Sequence, residues 1–358
     1  MTTDTNVDIQ ANYAKRSKRW KLILLGLIVA LIVTIVVSLN IGWAPVSFVE
    51  LLAVLGRQIP FLNNTIDPSL LTTVNVEAII IQSRLPRIFA GVIIGGGLAA
   101  AGVLYQGVFK NPMADPFVLG VSAGAAVGAG LATLLAGGLS FFGFPIVPTA
   151  AFFAALIEIF VVYNISRVGS RVPEMTLLLT GIAMSIFLSA IYSALEVLAS
   201  NYHLHVLVNF TIGGISEINW TVWWSIFPFI FIGIIISYFY SRDLNMITMG
   251  EETAQHLGVN TERTKKILLA LGSMITAAAV SVSGLIGFVG LMIPHITRII
   301  FGPDHRLLIP ASVIVGAIYL VVCDTLARVI GIQVGIITAA VGGLFFIFLL
   351  RKKLNYRM

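Results

Sequence analysis

Long apolar runs, each ended by charges, prolines or polar clusters, divide most of the chain into segments of about 20 residues. A bilayer core of roughly 30 Å needs about 20 apolar residues per helix, so each run is long enough to cross a membrane. Membrane barrels would instead show short alternating strands. The pattern therefore predicts an all-α, polytopic membrane protein with about ten transmembrane helices, at residues 21–42, 86–109, 117–138, 147–166, 174–197, 221–240, 265–283, 284–301, 307–329 and 334–350.

The composition indicates the same class of protein. Of the 358 residues, 58% are hydrophobic and 11% are charged, whereas soluble domains carry about 25% charged residues. So few charges cannot cover the surface of a soluble protein of this length, and the apolar surface must face lipid. The single cysteine, Cys323, excludes an internal disulfide and any multi-cysteine metal site, and no metal site is expected.

Basic residues are distributed unevenly between the predicted loops. If the basic N-terminus lies inside, ten crossings also place the C-terminus inside, and 18 of the 22 lysines and arginines fall on that side. This positive-inside bias predicts that both termini are cytoplasmic. We expect a cytoplasmic tail at 1–20, a single transmembrane domain at 21–351 and a second tail at 352–358. The basic residues left outside are Arg57, Arg84, Arg87 and Arg328.

Three of these outside arginines, Arg84, Arg87 and Arg328, lie at the ends of predicted helices. The simpler interpretation is that they reach to the membrane surface, or that Arg328 pairs with Asp324 one turn earlier. The alternative is that they bind carboxylates of a protein partner, because arginine pairs with carboxylates through two parallel hydrogen bonds. The residues themselves leave both interpretations open.

The longest predicted loop on the inner side covers about residues 242–264. Thr248 or Gly250 can begin a short helix whose first turn carries Glu251 and Glu252, and Gly258 can end it. Such a helix is either a connector or a rigid element that docks into a groove on a soluble partner.

A turn with two prolines joins the second and third predicted helices on the inner side. It reads Lys110-Asn111-Pro112-Met113-Ala114-Asp115-Pro116, and its prolines favour a stiff, extended turn over a continuing helix. It is either a tight connector or a gate in which Asn111 and Met113 narrow the inner end of a pathway.

Glycines recur at close spacing in the second and third predicted helices, at 95–97 and at 120, 124 and 128. We interpret them as helix-packing positions, because small residues let helices approach closely and the sequence contains no Gly-x4-Gly-Lys-Ser/Thr phosphate loop. We expect no catalytic residue and no cofactor on this chain. Any ATP and Mg²⁺ would be bound by a partner ATPase.

Two further polar features lie away from these motifs. Glu158, near the middle of a predicted span, is either a proton or cation site or a packing group that is protonated or hydrogen-bonded. Packing is favoured, because neighbouring spans offer no second acid or lysine for a relay. His203 and His205 lie in the outer connection after the fifth span, where they are loop or path-lining residues and a shared metal site is not expected.

Several motifs together resemble those of the FecCD-type permeases, the membrane subunits of ATP-driven importers for iron–siderophore complexes, haem and cobalamin. Each motif is short, but their order and their depth along residues 20–351 are specific to this family. The motifs are Arg84-Leu85-Pro86-Arg87, Asn111-Pro112-Met113-Ala114-Asp115-Pro116, Leu119-Gly120-Val121-Ser122, the loop from Gly250-Glu251 through Ala254 to Leu257-Gly258, Gly287-Phe288-Val289-Gly290-Leu291-Met292-Ile293-Pro294-His295, Asp304-His305-Arg306 and Gly335-Ile336-Ile337-Thr338.

The resemblance implies the type II fold of ABC importer permeases, with the fifth and tenth helices lining the path at the interface with a second permease, identical or related. It implies that Arg84, Arg87 and Arg328 dock an extracytoplasmic substrate-binding protein, and that Asn111 and Met113 form the cytoplasmic gate. It also implies that two ATPase subunits meet a coupling element made of Gly250, Glu251, Glu252, Ala254, Leu257 and Gly258.

We therefore expect a transport subunit, not an enzyme, that moves an iron(III)–siderophore complex across the bacterial cytoplasmic membrane. Haem and cobalamin are alternative substrates within the family. An ion-driven secondary transporter is the alternative from another class; it would need paired intramembrane charges, and Glu158 alone partly qualifies.

The chain departs from the family pattern in two places. Residues 172–176, Val-Pro-Glu-Met-Thr, stand where the family can have small hydroxyl residues at a second inner constriction. Near the tenth helix, this chain has Ile332-Gln333-Val334 and Gly342-Gly343-Leu344 in place of the family's two proline motifs.

Overall fold

A computed structural model describes residues 2–42, 44, 46–59, 61, 75–136, 138–141, 143–169 and 172–355. Most of these residues are helical. Arg171, one of the 18 basic residues assigned to the inner side, and 356–358 of the predicted C-terminal tail lie outside the described residues. The helices are α1 (Thr2–Asn40), α2 (Phe48–Arg57), α3 (Val76–Ala78), α4 (Leu85–Val108), α5 (Val121–Ala136), α6 (Ile146–Ile165), α7 (Glu174–Leu198), α8 (Asn201–Ile212), α9 (Trp220–Phe239), α10 (Ser241–Met249), α11 (Glu251–His256), α12 (Thr261–Ser283), α13 (Val289–Phe301), α14 (His305–Ile330) and α15 (Val334–Asn355).

Short irregular elements complete the chain. A π-helical segment, Ile79–Arg84, joins α3 to α4, and a 3₁₀ turn, Pro116–Leu119, precedes α5. Between α5 and α6, strands β1 (Ser140–Phe141) and β2 (Phe144–Pro145) form a small antiparallel hairpin in which Ser140 lies opposite Pro145.

Ten apolar helices of the described chain match the ten predicted spans. Seven are long and apolar enough to cross a membrane, and three shorter apolar helices lie at 121–136, 289–301 and 334–349. The seventh and eighth spans are separate helices, because Gly284 and Phe288 both adopt positive φ in the segment between them. The prediction of an all-α membrane protein is confirmed.

Three helical segments differ from the predictions. α1 begins at Thr2, so it runs through the predicted tail. The segment with His203 and His205 is helical and not a loop, because both lie on α8, which ends at Ile212 before Gly213 with positive φ. α2 was not predicted, although Ser47 and Glu50 form a reciprocal capping box at its start.

α4 lies at the centre of the bundle and is almost wholly buried. A Cβ built on Gly95 would lie 2.3 Å from the carbonyl oxygen of Gly316 on α14, and one built on Gly316 would lie 2.5 Å from the carbonyl oxygen of Gly95. Gly128 of α5 approaches the carbonyl oxygen of Ala150 on α6 in the same way. These contacts confirm that Gly95 and Gly128 serve helix packing. Gly120 differs, because it lies just before α5 and adopts positive φ.

α7 lies at the periphery and exposes much of its apolar surface, including Leu179, Ile186 and Phe187. α15 likewise exposes Leu344 and Phe348. In a membrane protein such surfaces face lipid or another subunit.

The bundle has two polar ends, which we name by their residues. The arginine end carries Arg84, Arg87 and Arg328, and the loop end carries α11 together with the gate turn, residues 110–116. α4 connects them, because it starts beside Arg84 and ends just before Lys110.

Candidate docking, gate and coupling sites

Asp324 of α14 is the centre of a cluster at the arginine end. Nε and Nη2 of Arg87 donate to its two carboxylate oxygens over 2.8 to 3.0 Å. Nε of Arg328 lies 3.3 Å from Asp324 Oδ2. Because Asp324 is only 1% exposed, these charges are poorly solvated and depend on one another.

The other two arginines tie α1 to the cluster. Arg84 donates from Nη1 and Nη2 to the carbonyl oxygens of Leu39 and Ala44. Arg328 Nη2 donates to Ser38 Oγ over 2.6 Å. These bonds hold the end of α1, and the chain that follows it, against the start of α4 and against α14.

The three predicted docking arginines thus lie together, but they differ in accessibility. The Arg87 side chain is 17% exposed and that of Arg328 is 8% exposed, and Arg84 is buried. Arg87 is therefore the member of the group that a partner can reach most easily. The docking role itself stays a prediction.

At the loop end, α11 forms the short helix that the sequence predicts between Gly250 and Gly258. Gly250 has positive φ where α10 passes into α11, and Gly258 has positive φ after α11, as an L side chain rarely does. Ala254 is buried against Ile247 of α10 and Val259. Apolar packing therefore holds the helix on one side.

The opposite side of α11 is open. Leu257, just after the helix, is 65% exposed, and Met249, just before it, is also exposed. Glu252 is exposed too. This combination of an acidic side chain on a short helix and apolar side chains at its two ends suits a protein interface.

Ion pairs among four charged side chains, one of them on α11, connect this helix to its surroundings at the loop end. Lys110 Nζ donates to Glu251 Oε1 over 2.7 Å, and Lys265 Nζ lies 2.5 Å from the same oxygen. Lys265 Nζ also donates to Glu174 Oε1 over 2.9 Å. Burial raises the pKa of Glu251, but the hydrogen bonds from Lys110 and Lys265 outweigh it, so that its pKa lies below the usual range.

The gate turn is held by hydrogen bonds within itself. Lys110 adopts positive φ, and the amide of Met113 donates to Asn111 Oδ1 over 2.9 Å. Asp115 Oδ1 accepts from the amide of Phe117 over 2.8 Å and starts the 3₁₀ turn. Burial raises the pKa of Asp115 to about 6. Asn111 is exposed and Met113 half-buried, which suits their predicted gate role without testing it.

Glu158 of α6 is buried against the start of α5. A Cβ on Gly120 would lie 1.8 Å from Glu158 Oε1, and one on Gly124 would lie 2.9 Å from Oε2. Glycine at both positions makes room for this carboxyl group, and a helix start favours a carboxylate nearby. Among the described residues, no group of three acidic, histidine or cysteine side chains could hold a metal ion.

The sequence analysis singled out Glu251 but did not predict its ion pairs with Lys110 and Lys265. It also did not predict the ion pair between Lys265 and Glu174. Each of Lys110, Lys265 and Glu174 lies near the end of a predicted span on the same side. That common position was the available signal, but nothing in the spacing says which of the four meet.

Comparison with known proteins assigns the family. The model of the FecCD transport family matches residues 27–352. The chain belongs to the FecCD transport family. It is therefore an ABC importer permease, a transport subunit of the membrane, as its motifs predicted.

Individual relatives of this FecCD permease carry several substrate names. It is 43% identical over 279 residues to the cobalamin import system permease protein BtuC of Halobacterium salinarum, covering 77% of this chain and 74% of the relative. It is 33% identical over 286 residues to the hemin transport system permease protein HmuU of Yersinia pestis, covering 76% and 83%. It is 30% identical over 330 residues to the iron(3+)-hydroxamate import system permease protein FhuG of Bacillus subtilis, covering 90% and 94%.

A solved structure described as an inward-facing, metal-chelate type ABC transporter matches with a TM-score of 0.77 and 31% identity, over 93% of this chain and 99% of that one. This likeness confirms the type II permease fold.

Proposed function

We propose that this FecCD permease carries a bulky metal chelate, an iron(III)–siderophore complex, inward across the bacterial cytoplasmic membrane. The observation that carries the proposal is the likeness to a metal-chelate type ABC transporter, which is 31% identical over 93% of this chain and 99% of that one. The match to the iron(3+)-hydroxamate permease, along 90% of this chain and 94% of that relative, supports an iron(III) complex within that substrate class.

Cobalamin is the second candidate substrate, because the relative named for cobalamin import is 43% identical. Both candidates are large metal complexes that a substrate-binding protein could deliver. They differ in the metal and in the organic part, so they can be tested side by side.

We propose that the loop end faces the cytoplasm, together with both termini. The uneven distribution of basic residues supports this orientation. Two ATPase subunits would meet the loop end, where Leu257 and Glu252 are exposed on either side of the buried Ala254. Gly250 and Gly258 would keep the shape of this coupling element.

We propose that the arginine end receives the substrate-binding protein. Arg87 and Arg328 share one aspartate, and Arg84 binds backbone carbonyl oxygens. This end therefore keeps an excess of positive charge, which favours an acidic partner surface. A carboxylate of the partner would share Arg87 with Asp324. Arg84 and Arg328, which are more buried, would hold the docking surface in place.

A second permease would complete the pathway along α7 and α15. Their exposed side chains Ile186, Phe187 and Leu344 are uncharged, so such a path would bind a large chelate weakly. Asn111 and Met113 would close its cytoplasmic end.

Uptake by cells tests the substrate. A strain lacking this permease, with its ATPase and binding protein intact, receives the gene for this chain and is supplied with radioactive iron(III) hydroxamate or with radioactive cobalamin. We expect the gene to restore iron accumulation and to leave cobalamin accumulation at the level of the deletion strain. Restored uptake of cobalamin alone would contradict the siderophore proposal and support the second candidate.

A further inference from the structure

Four charged side chains at the loop end form a continuous series of ion pairs that we call the ion-pair chain: Lys110, Glu251, Lys265 and Glu174. Their three contacts measure 2.7, 2.5 and 2.9 Å in that order. Each residue belongs to a different segment, namely the gate turn, α11, α12 and α7.

We infer that the ion-pair chain is the positioning device that links the coupling helix α11 to the two inner turns of the permease, which are the gate turn and the turn at 172–173. Glu251 ties α11 to the gate turn through Lys110. The same carboxylate ties α11 through Lys265 to Glu174, the first residue of α7, and so to the turn at 172–173. The inference rests on the proposed coupling role of α11.

The position of Glu251 suits a central role in this link. It is the first residue of α11, where the helix dipole favours a carboxylate. One of its oxygens, Oε1, accepts hydrogen bonds from Nζ of both lysines. A displacement of α11 therefore acts on two cations at once, and each cation lies on a different segment.

Apolar packing does not connect α11 itself to either inner turn. α11 contributes Ala254 to a small cluster with Ile247 and Val259, and in the described part of the chain that cluster contains no residue of either inner turn. Phe109 and Ala114, at the gate turn, pack into a different cluster. α11 is thus fixed by apolar contacts to α10 and Val259, and α10 in turn contributes Leu244 to the cluster of Phe109 and Ala114. The link from α11 itself to the inner turns is the ion pairs of Glu251.

The strength of the ion-pair chain suits a link that rearranges during transport. The side chains of Lys110 and Glu251 are about one-third exposed, and exposed ion pairs are individually weak. Lys265 is only 13% exposed and serves two carboxylates, so its pairs are less screened by water. The ion-pair chain can therefore hold the two inner turns in place, and its side chains can still exchange partners.

The first test measures coupling in the complete transporter, reconstituted in liposomes with its ATPase and binding protein. Glu251→Gln removes the charge that joins the two lysines and keeps the size of the side chain. We expect the ATP hydrolysed per chelate transported to rise at least about fivefold, the lower end of typical coupling between sites. Glu262→Gln, at an exposed carboxylate near the start of α12, is the matched control and should leave the ratio unchanged.

The second test measures the link directly, by hydrogen–deuterium exchange of the same purified complex without substrate. Glu251→Gln should speed exchange of the backbone amides in both 110–116 and 172–176. Lys110→Met should affect the first segment alone, and Lys265→Met the second alone. Lys266→Met, at the exposed neighbouring lysine, should affect neither.

Unchanged exchange in both segments of the Glu251→Gln variant, or an unchanged ratio of ATP to transported chelate, would overturn the inference. Failure of the wild-type complex to take up any chelate with ATP would instead count against the proposed function. In that case the exchange experiment still decides whether the ion-pair chain positions the two turns.

Discussion

Asp324 is a buried carboxylate whose two oxygens hold the guanidinium groups of Arg87 and Arg328. The pair with Arg328 follows from a spacing of one helical turn, and the sequence suggests it. The pair with Arg87 spans 237 residues, and only the packing of α4 on α14 brings those two side chains together. Local spacing therefore predicts one half of this cluster and cannot predict the other.

The buried position of Asp324 makes its charge important for stability. Asp324→Asn would leave two poorly solvated arginines without their anion, and we expect a loss of about 3 kcal/mol in the free energy of unfolding. Thermal unfolding of the purified permease in detergent measures it. Asp243→Asn, at a half-buried aspartate of α10, serves as the control and should change the unfolding temperature little.

Arg87 is the arginine of the cluster that a docking partner can reach. Arg87→Gln leaves Asp324 paired with Arg328, so the fold should survive. We expect binding of the substrate-binding protein to weaken about tenfold, the effect of losing a hydrogen bond to a charged group, and to depend less on salt. Titration of the binding protein onto the purified complex measures this affinity.

Arg167→Gln is the matched control for that experiment, because Arg167 is exposed and lies at the loop end. Equal affinities for Arg87→Gln and the wild type would refute docking through Arg87. A loss of affinity in both variants would point to an indirect effect on the whole permease.

At the scale of elements, the ten apolar helices were predictable because the length of an apolar run is a local property of the sequence. α8 was missed because Asn201, His203 and His205 make its first turns polar, and polar residues between spans favour a loop prediction. α2 carried a readable signal, the capping box of Ser47 and Glu50.

The ion-pair chain was not predictable, since it depends on how four segments meet.

Packing between α4 and α14 depends on Gly95 and Gly316, whose backbones touch. Gly95→Ala would place a Cβ 2.3 Å from a carbonyl oxygen, so the helices must separate. We expect a loss of about 1–3 kcal/mol, seen as a lower unfolding temperature. Gly26→Ala, at an exposed site with no atom near the added Cβ, should be neutral or slightly stabilising; equal effects of the two substitutions would contradict close packing here.

At the scale of the whole molecule, the scarce charges gather at the two ends of an apolar bundle. The orientation proposed above assigns these ends to opposite sides of the membrane. Single cysteines test it in a Cys323→Ser background: Ser140→Cys on the hairpin at the arginine end and Glu262→Cys at the loop end. A membrane-impermeant maleimide added to intact cells should label the first and spare the second. The reverse pattern would invert the topology.

We propose that this FecCD permease moves its chelate with energy from ATP hydrolysis, which acts at the loop end. Uptake of radioactive iron(III) siderophore into liposomes containing the complete complex measures this directly. Accumulation should continue when a protonophore removes the ion gradient, and should stop when ATP is replaced by a non-hydrolysable analogue. Accumulation that collapses with the protonophore while ATP persists would contradict the claim and indicate an ion-driven transporter.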